Sequence, residues 1–454
     1  MTAWRPGQPG DVPFAEALAD PRSPDQLAQD QRRVRRQLTN LERRTNDQAV
    51  QRELLDHVRR RRADRDDMVQ FVPSPGPDGY DRLVAEGELL IRTEHADDDF
   101  VASYLAGYPE LVREDPDEDL AVLDGRVTRF QHSQADAYAA QRLNDIAQFL
   151  RQRGVQVTLN SVIPLGPVGK ALAGPEPSAG SRPWTGGPEG EVIAVIDTGI
   201  SYEQRGDQWL QDPPVVRDGT NEDRLTDIDL THLNFAAGHG QLVTGIIQQV
   251  EPGARIVMHK TLDGDGFGSD VAVAAAMVRA VRGGARILNL SLGTRTPDDQ
   301  PPIGMQTALE IIREETGDET VIVAAAGNYA NTDRCWPAAF RRVVSVAGLT
   351  VDGLASTWST RGPDTTVSTI SEGVLSTYVQ GEESWLVDWD PDSYGPDSWA
   401  IASGTSFGAP QVAGAIARTC REQGKTPREA LGILLGYGRP IPDFGLALRI
   451  LPGT

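Results

Sequence analysis

The stretch IASGTSFGAPQVAGAIA, residues 401–417, sets Ser406 among small residues just before an alanine-rich apolar run. A serine nucleophile needs an open approach, room for a substrate backbone and spare backbone N–H groups for a developing oxyanion. The first turn of a helix has such donors. Gly404, Gly408 and Ala409 keep the approach open, and Pro410 is tolerated early in a helix because its missing N–H would have no partner there. A capped, buried helix would read the same way, so the serine gains meaning only beside a base and an acid. EVIAVIDTG ends a buried-strand pattern in Asp197, and an acid at such a place is costly unless hydrogen-bonded to something useful. Among the histidines, His239 alone stands between glycines at the head of a helix-like run, NFAAGHGQLVTGII. VIVAAAGNYAN puts Asn328 directly after a strand, where its amide can donate toward an oxyanion.

In this order, VIDTG, GHG, AAAGN and SGTSFGAPQVAG resemble the aspartate, histidine, oxyanion-asparagine and serine motifs of the subtilisin-like serine protease family. The resemblance implies a serine endopeptidase acting on peptide or protein substrates with no cofactor and no metal. Ser406 would be the nucleophile, His239 the general base and Asp197 its orienting acid, with Asn328 and the Ser406 N–H holding the oxyanion. It further implies that Ser291, Leu292 and Gly293 border the first specificity pocket, with Cys335 on its floor. LDGDGFGSD, residues 262–270, would pair with extended substrate through Gly264, Asp265 and Gly266. Asp265 and Asp270 are expected to face the substrate channel and to favour basic side chains; the acid spacing lacks the glutamate of an EF-hand. Departures from the family pattern are Gly240, Gln241 and Leu242 after the histidine, Phe407 and Gly408 after the serine, and Gln411. None deletes a catalytic group. The alternative, an inert protease-fold scaffold or partner-binding protein, predicts the loss of at least one of them.

Positioning these groups requires strands whose carboxyl ends converge. VIAVI, RIVMHKTL, RILNLSLG and TVIVAAAGN alternate with alanine-rich helices, the pattern of a parallel sheet buried on both faces. Ligands collect at the carboxyl ends of such strands. The expected fold class is therefore α/β, a subtilisin-like parallel sheet with helices on both faces. A long connection, 371–400, carries Trp385, Trp389 and Trp399, which suit either a lid over the cleft or a packed loop.

The 454-residue chain exceeds what one core usually serves, so several units are expected. Residues 1–82 read as a helical N-terminal segment, one long helix or a pair, with RRRR at 59–62 as a solvated helix face. Residues 83–165 follow the order β-α-β-β-α-β, a ferredoxin-like α+β domain, with a hairpin expected at Asp124-Gly125, Ser133 as a helix cap and Gly154 as its stop. Residues 166–190 are a Gly/Pro/Ser-rich linker, and 191–454 form the protease-like domain. Because secreted members of the family carry a ferredoxin-like propeptide, residues 85–165 resemble one. We expect this region to restrain the site until self-cleavage in the linker, or an activating protein partner at the N-terminal region, releases it. The net charge of −21 argues against a nucleic-acid partner. Neither a signal peptide nor an apolar run long enough for a membrane is read, and Cys335 and Cys420 suit a reducing cytoplasm.

Overall fold

The computed structural model describes residues 9–45, 48–63, 65, 68–76, 78–133, 137–165, 174–212, 214–226, 231–384 and 390–454. Its largest sheet has nine strands, ordered Arg439–Pro440, Leu446–Leu448, Val367–Ile370, Val343–Leu349, Val321–Ala325, Ile287–Leu290, Val192–Asp197, Arg255–Lys260 and Val215–Val216. All neighbours run parallel except the Arg439–Pro440 edge. The period-2 geometry of a strand explains why its apolar runs are continuous. Ile193 and Val195 enter one core with the helices His239–Val250 and Ala409–Gln423, while Ala194 and Ile196 enter a second with Asp270–Arg282 and Ile303–Thr316. Both faces are thereby covered, as the sequence predicted.

The N-terminal half adds a second, antiparallel sheet. Its strands are ordered Phe267–Ser269, Val157–Pro164, Asp81–Arg92, Val127–His132 and Leu111–Arg113, with Phe71–Pro75 paired along the start of the long strand. Helices Asp99–Leu105 and Ala137–Arg151 intervene in sequence. Asp98 caps the first by accepting the N–H groups of Phe100 and Val101. The second buries Ala140, Leu143, Ile146, Ala147 and Leu150 in the core beneath this sheet. Gly154, at φ 82°, ends the chain's turn away from the helix, whereas the stretch after the expected cap Ser133, residues 134–136, lies outside the described residues. The edge strand Phe267–Ser269 belongs by sequence to the other half of the chain, so the sheet spans both halves.

Two expectations are corrected. The hairpin at Asp124-Gly125 does not form: Glu118–Val122 is helical, capped by Asp117, and Leu111–Arg113 is the strand that pairs with Val127–His132. Leu120 and Leu123 are buried in the core around Asp270–Arg282, and that burial overrides their local β tendency. The arginine run 59–62 is not a solvated face, because Arg62 is buried and Arg59 donates to the Phe71 carbonyl. Of the two roles left open for Trp399, the packed one holds: it lies in the strand Trp399–Ala402, buried edge-on against Trp209. Trp385 and Trp389 fall outside the described residues.

Two helices lie near the start of the chain, α1 (Pro24–Thr45) and α2 (Gln48–Arg62). Val12, Phe14, Ala15, Leu18 and Val34 belong to the same core as the helix His239–Val250. Gln37 of α1 donates to the Ile401 carbonyl at 3.1 Å and accepts from Ser403 Oγ at 2.9 Å. Residues 176–184 are fixed in the same region: Glu176–Ser178 pairs with Trp399–Ala402, and Trp184 packs on Trp209. No helix among the described residues is long and apolar enough to cross a membrane.

Candidate active site

The carboxyl end of the interior strand Val192–Asp197 delivers a fully buried carboxylate. Asp197 Oδ1 accepts the Thr198 N–H at 2.8 Å and lies 2.8 Å from His239 Nδ1. His239 is the first residue of its helix, and Gly238 before it turns the chain with φ 73°, a conformation glycine adopts without strain. A side chain on Gly238 would also meet Tyr378 at 2.8 Å. The imidazole retains some exposure, 13 %, and its ring centroid lies 5.5 Å from that of Phe407, the residue after Ser406.

Ser406 sits in a short 3-10 turn, Thr405–Phe407, immediately before the helix Ala409–Gln423. Its hydroxyl donates to the Ser291 carbonyl at 3.0 Å, and Ser291 Oγ donates in return to the Ser406 carbonyl at 2.8 Å. Asn328 is held through its amide oxygen, which accepts Thr405 N–H and Thr405 Oγ–H, each at 3.0 Å. That fixes which end of the amide is the nitrogen. A narrow cavity is lined by Ser406, Asn328, Leu292, Gly293, Cys335 and Leu165. Cys335 is a buried free thiol pushed up to about 12 by desolvation, so it lines the pocket as an inert wall and not as a nucleophile. Gly293 is required there, since a Cβ would come within 2.6 Å of Cys335 Sγ.

The segment 262–270 divides. Gly264 O accepts the Ala236 N–H and Gly266 O accepts the Leu165 N–H, each at 3.0 Å. Asp265 lies beside Arg61 of α2, 3.6 Å from it. Asp270 is corrected: it does not face the channel, but is fully buried and accepts the N–H groups of Gly304 and Met305 at 2.7 Å each. Helix Ile303–Thr316 has no polar side chain at its own N-cap, and Asp270 serves its first turn from a distance. Burial pushes Asp270 up to about 7 despite those two bonds.

Sequence reasoning missed Asp223 and Thr198. Asp223 Oδ2 accepts the Gly238 N–H at 2.8 Å and a bond from Thr198 Oγ1 at 3.3 Å, while Thr198 Oγ1 accepts the Gly240 N–H at 3.1 Å. The two bracket His239. Asp223, pushed up to about 7 chiefly by burial, stands in the polar stretch NEDRLTD, which reads as an ordinary exposed loop. The threonine in VIDTG was visible but carried no separate signal.

The description of the subtilase family matches residues 188–434. Thermitase of Thermoactinomyces vulgaris is 29 % identical over 247 residues, covering 52 % of this chain and 77 % of that protein. Subtilisin BL of Lederbergia lenta is 26 % identical over 246 residues, covering 53 % and 79 %. Among solved structures, fervidolysin from Fervidobacterium pennivorans, a keratinolytic enzyme related to subtilisin, is similar in fold with a TM-score of 0.54 at 18 % identity, covering 81 % of this chain and 60 % of that one. With more than half its length matched by the family and its strand-end acid bonded to the histidine at the helix head, the chain belongs to the subtilase family and is a subtilisin-like serine endopeptidase.

Proposed function

We propose that the chain hydrolyses peptide bonds through Asp197, His239 and Ser406, and that its N-terminal half restrains this site. The observation carrying the first part is the 2.8 Å approach of His239 Nδ1 to Asp197 Oδ1, which directs one ring proton to the acid and leaves Nε2 as the base. In the proposed reaction the Ser406 hydroxyl, which donates to the Ser291 carbonyl in the structure, turns to donate to Nε2 instead. His239 takes its proton as Ser406 Oγ attacks the substrate carbonyl, then passes that proton to the leaving amine. Water completes the cycle by the same base, cleaving the acyl ester. Asn328 Nδ2 and the Ser406 N–H hold the tetrahedral oxyanion, each such donor contributing about 3 kcal/mol. Substrate in extended form would lie between the segments 264–269 and 291–293.

The restraint is supported by what occupies that place. Phe267–Ser269 pairs antiparallel with residues 162–164, Thr294 Oγ1 donates to the Val162 carbonyl at 2.8 Å, and Leu165 reaches the cavity lined by Ser406. We read residues 83–165 as a ferredoxin-like unit on its strand order, between a helical segment, 1–82, and the 166–190 linker that precedes the protease domain, 191–454. Contacts from its short helix and the turn that follows to the catalytic half favour this reading: Arg279 donates to Asp119 at 2.7 Å and Arg282 to Asp124 at 3.0 Å. We further propose that self-cleavage in the linker, or an activating partner acting on the helical segment, releases the site. Buried free thiols at Cys335 and Cys420 are compatible with a cytoplasmic setting.

A fluorophosphonate tests the reaction: it should label the wild-type chain and not Ser406→Ala. Mass spectrometry tests the restraint, with a cut in the linker expected for wild type and an intact Ser406→Ala chain. An unlabelled serine, even after proteolytic trimming of the N-terminal half, would favour the inert scaffold.

A further inference from the structure

Resting on that reading of the cleft, we infer that Asp263 and Asp265, with the ring faces of Phe267 and Phe235, form a subsite for a substrate arginine, filled in the restrained chain by Arg61 and Arg62 of α2. Both carboxylates and both of these rings lie in the catalytic half, and both guanidinium groups come from the N-terminal half. Arg62 has only 1 % of its side chain exposed, and its Nη2 donates to Asp263 Oδ2. Its guanidinium carbon lies 5.1 Å from the centroid of Phe267 and 5.1 Å from that of Phe71, which stack on each other. Its Nε and Nη1 make no hydrogen bond among the described residues. Arg61 repeats the arrangement with less burial: Nη2 is 3.6 Å from Asp265 Oδ1, and its guanidinium carbon stands 5.0 Å over the Phe235 ring.

The position is that of a substrate side chain. Asp263 Oδ1 accepts the N–H groups of Asp265 and Phe267 at 3.0 and 3.2 Å, fixing the carboxylate to the loop whose Gly266 takes the Leu165 N–H. Asp265 is 2 % exposed at its side chain, two residues away. Two carboxylates this close and this buried strongly disfavour being left without a cation. Burial, and the neighbouring Asp265, push Asp263 upward, while Arg62 pulls it down. Once α2 withdraws, Asp263, Asp265, Phe235 and Phe267 remain with nothing to balance them from that helix. A guanidinium satisfies the set better than an ammonium, because its planar, weakly hydrated cation stacks on a ring while its N–H groups meet the carboxylate.

The test uses the full chain with Arg61→Ala/Arg62→Ala, cut in the linker so that residues 162–165 can leave the cleft as well, and reads protection of Ser406 from a fluorophosphonate by alanine-based peptides bearing one arginine at successive positions. At one position arginine should lower the half-protecting concentration at least tenfold relative to alanine, with lysine gaining less. Adding Asp263→Asn/Asp265→Asn should abolish the gain, and each single replacement should reduce it. If the serine is labelled yet no position gains from arginine, or the gain survives loss of both carboxylates, the arginines are an interface ion pair only and the inference falls. If no form is labelled, the nucleophile assignment fails instead, which is a separate result.

Discussion

Asp223 holds Gly238 by its backbone: the carboxylate accepts that N–H at 2.8 Å, immediately before His239. Thr198 ties the same turn from the other side through Gly240. The imidazole is thus bonded to Asp197, while its backbone is set by a second acid that does not touch the ring through any of these bonds. Asp223 is a positioning residue. Replacing it leaves a buried N–H without its acceptor, a loss of about 1–3 kcal/mol.

Asp223→Ala should therefore lower kcat on a peptide substrate by roughly tenfold or more, on the scale of that lost bond. KM should stay within about twofold, since no substrate-facing group is removed. Steady-state kinetics beside an unfolding curve separate this from simple loss of folded protein. A fall in kcat fully matched by the fraction unfolded would assign Asp223 to stability alone.

Gly293 governs the pocket in a way that a double replacement can expose. A Cβ at this position falls 2.6 Å from Cys335 Sγ and an ordinary 3.4 Å from the Trp336 carbonyl, so the clash is with one atom. Gly293→Ala should reduce kcat/KM by about tenfold, near 1.4 kcal/mol, and Gly293→Ala/Cys335→Ala should recover much of it. Additive losses in the pair would mean that the glycine matters for its backbone and not for the space beside the thiol.

Much of the site was legible because its chemistry lies in short contiguous motifs. Asp197 ends a strand and His239 begins a helix whose apolar patterns announce them, Ser406 lies in the turn just before a third such element, and the structure puts Asp197 beside His239 as the family resemblance implied. Burial direction was less legible. Asp270 sits in a motif read as substrate-facing, yet the carboxylate turns inward to serve a helix that begins 33 residues later, at Ile303. Arg62 sits in a run that composition assigns to water, and only the opposing Asp263 and Phe267 explain its burial. Both errors have one origin: the partner is distant in sequence, and local pattern carries no trace of it.

Asp270 also supplies a pH prediction. Its carboxyl, ordinarily near 3.8, is raised to about 7 by burial. Between those values the folded chain keeps a proton that the unfolded chain has released, so stability is greatest below about 4 and is lost as pH rises toward 7. Asp270→Asn cannot titrate, and every other group is common to both proteins. The stability of wild type minus that of Asp270→Asn, from urea midpoints at successive pH values, should shrink across this window. A difference that grows with pH would show that the two backbone N–H donors outweigh burial.

Residues 10–34 belong energetically to the protease half. Val34 on α1 is 3 % exposed and shares a core with the helix that starts at His239, and a Cβ on Gly373 would meet its Cγ2 at 2.7 Å. Gly10 bonds both Tyr437 and Arg449 through its backbone, and Asp11 pairs with Arg449 at 2.5 Å. Val34→Asp would bury an unpaired charge and should destabilise the catalytic half by about 3 kcal/mol or more. Tyr138→Ala, at a side chain on a residue 68 % exposed, should change stability by no more than about 0.5 kcal/mol. For the same reason, after a cut in the linker the N-terminal fragment should stay tethered through residues 9–45 and co-elute with the protease half, even as residues 83–165 leave the cleft. Its loss from that half under native conditions, with activity retained, would show that these contacts are dispensable.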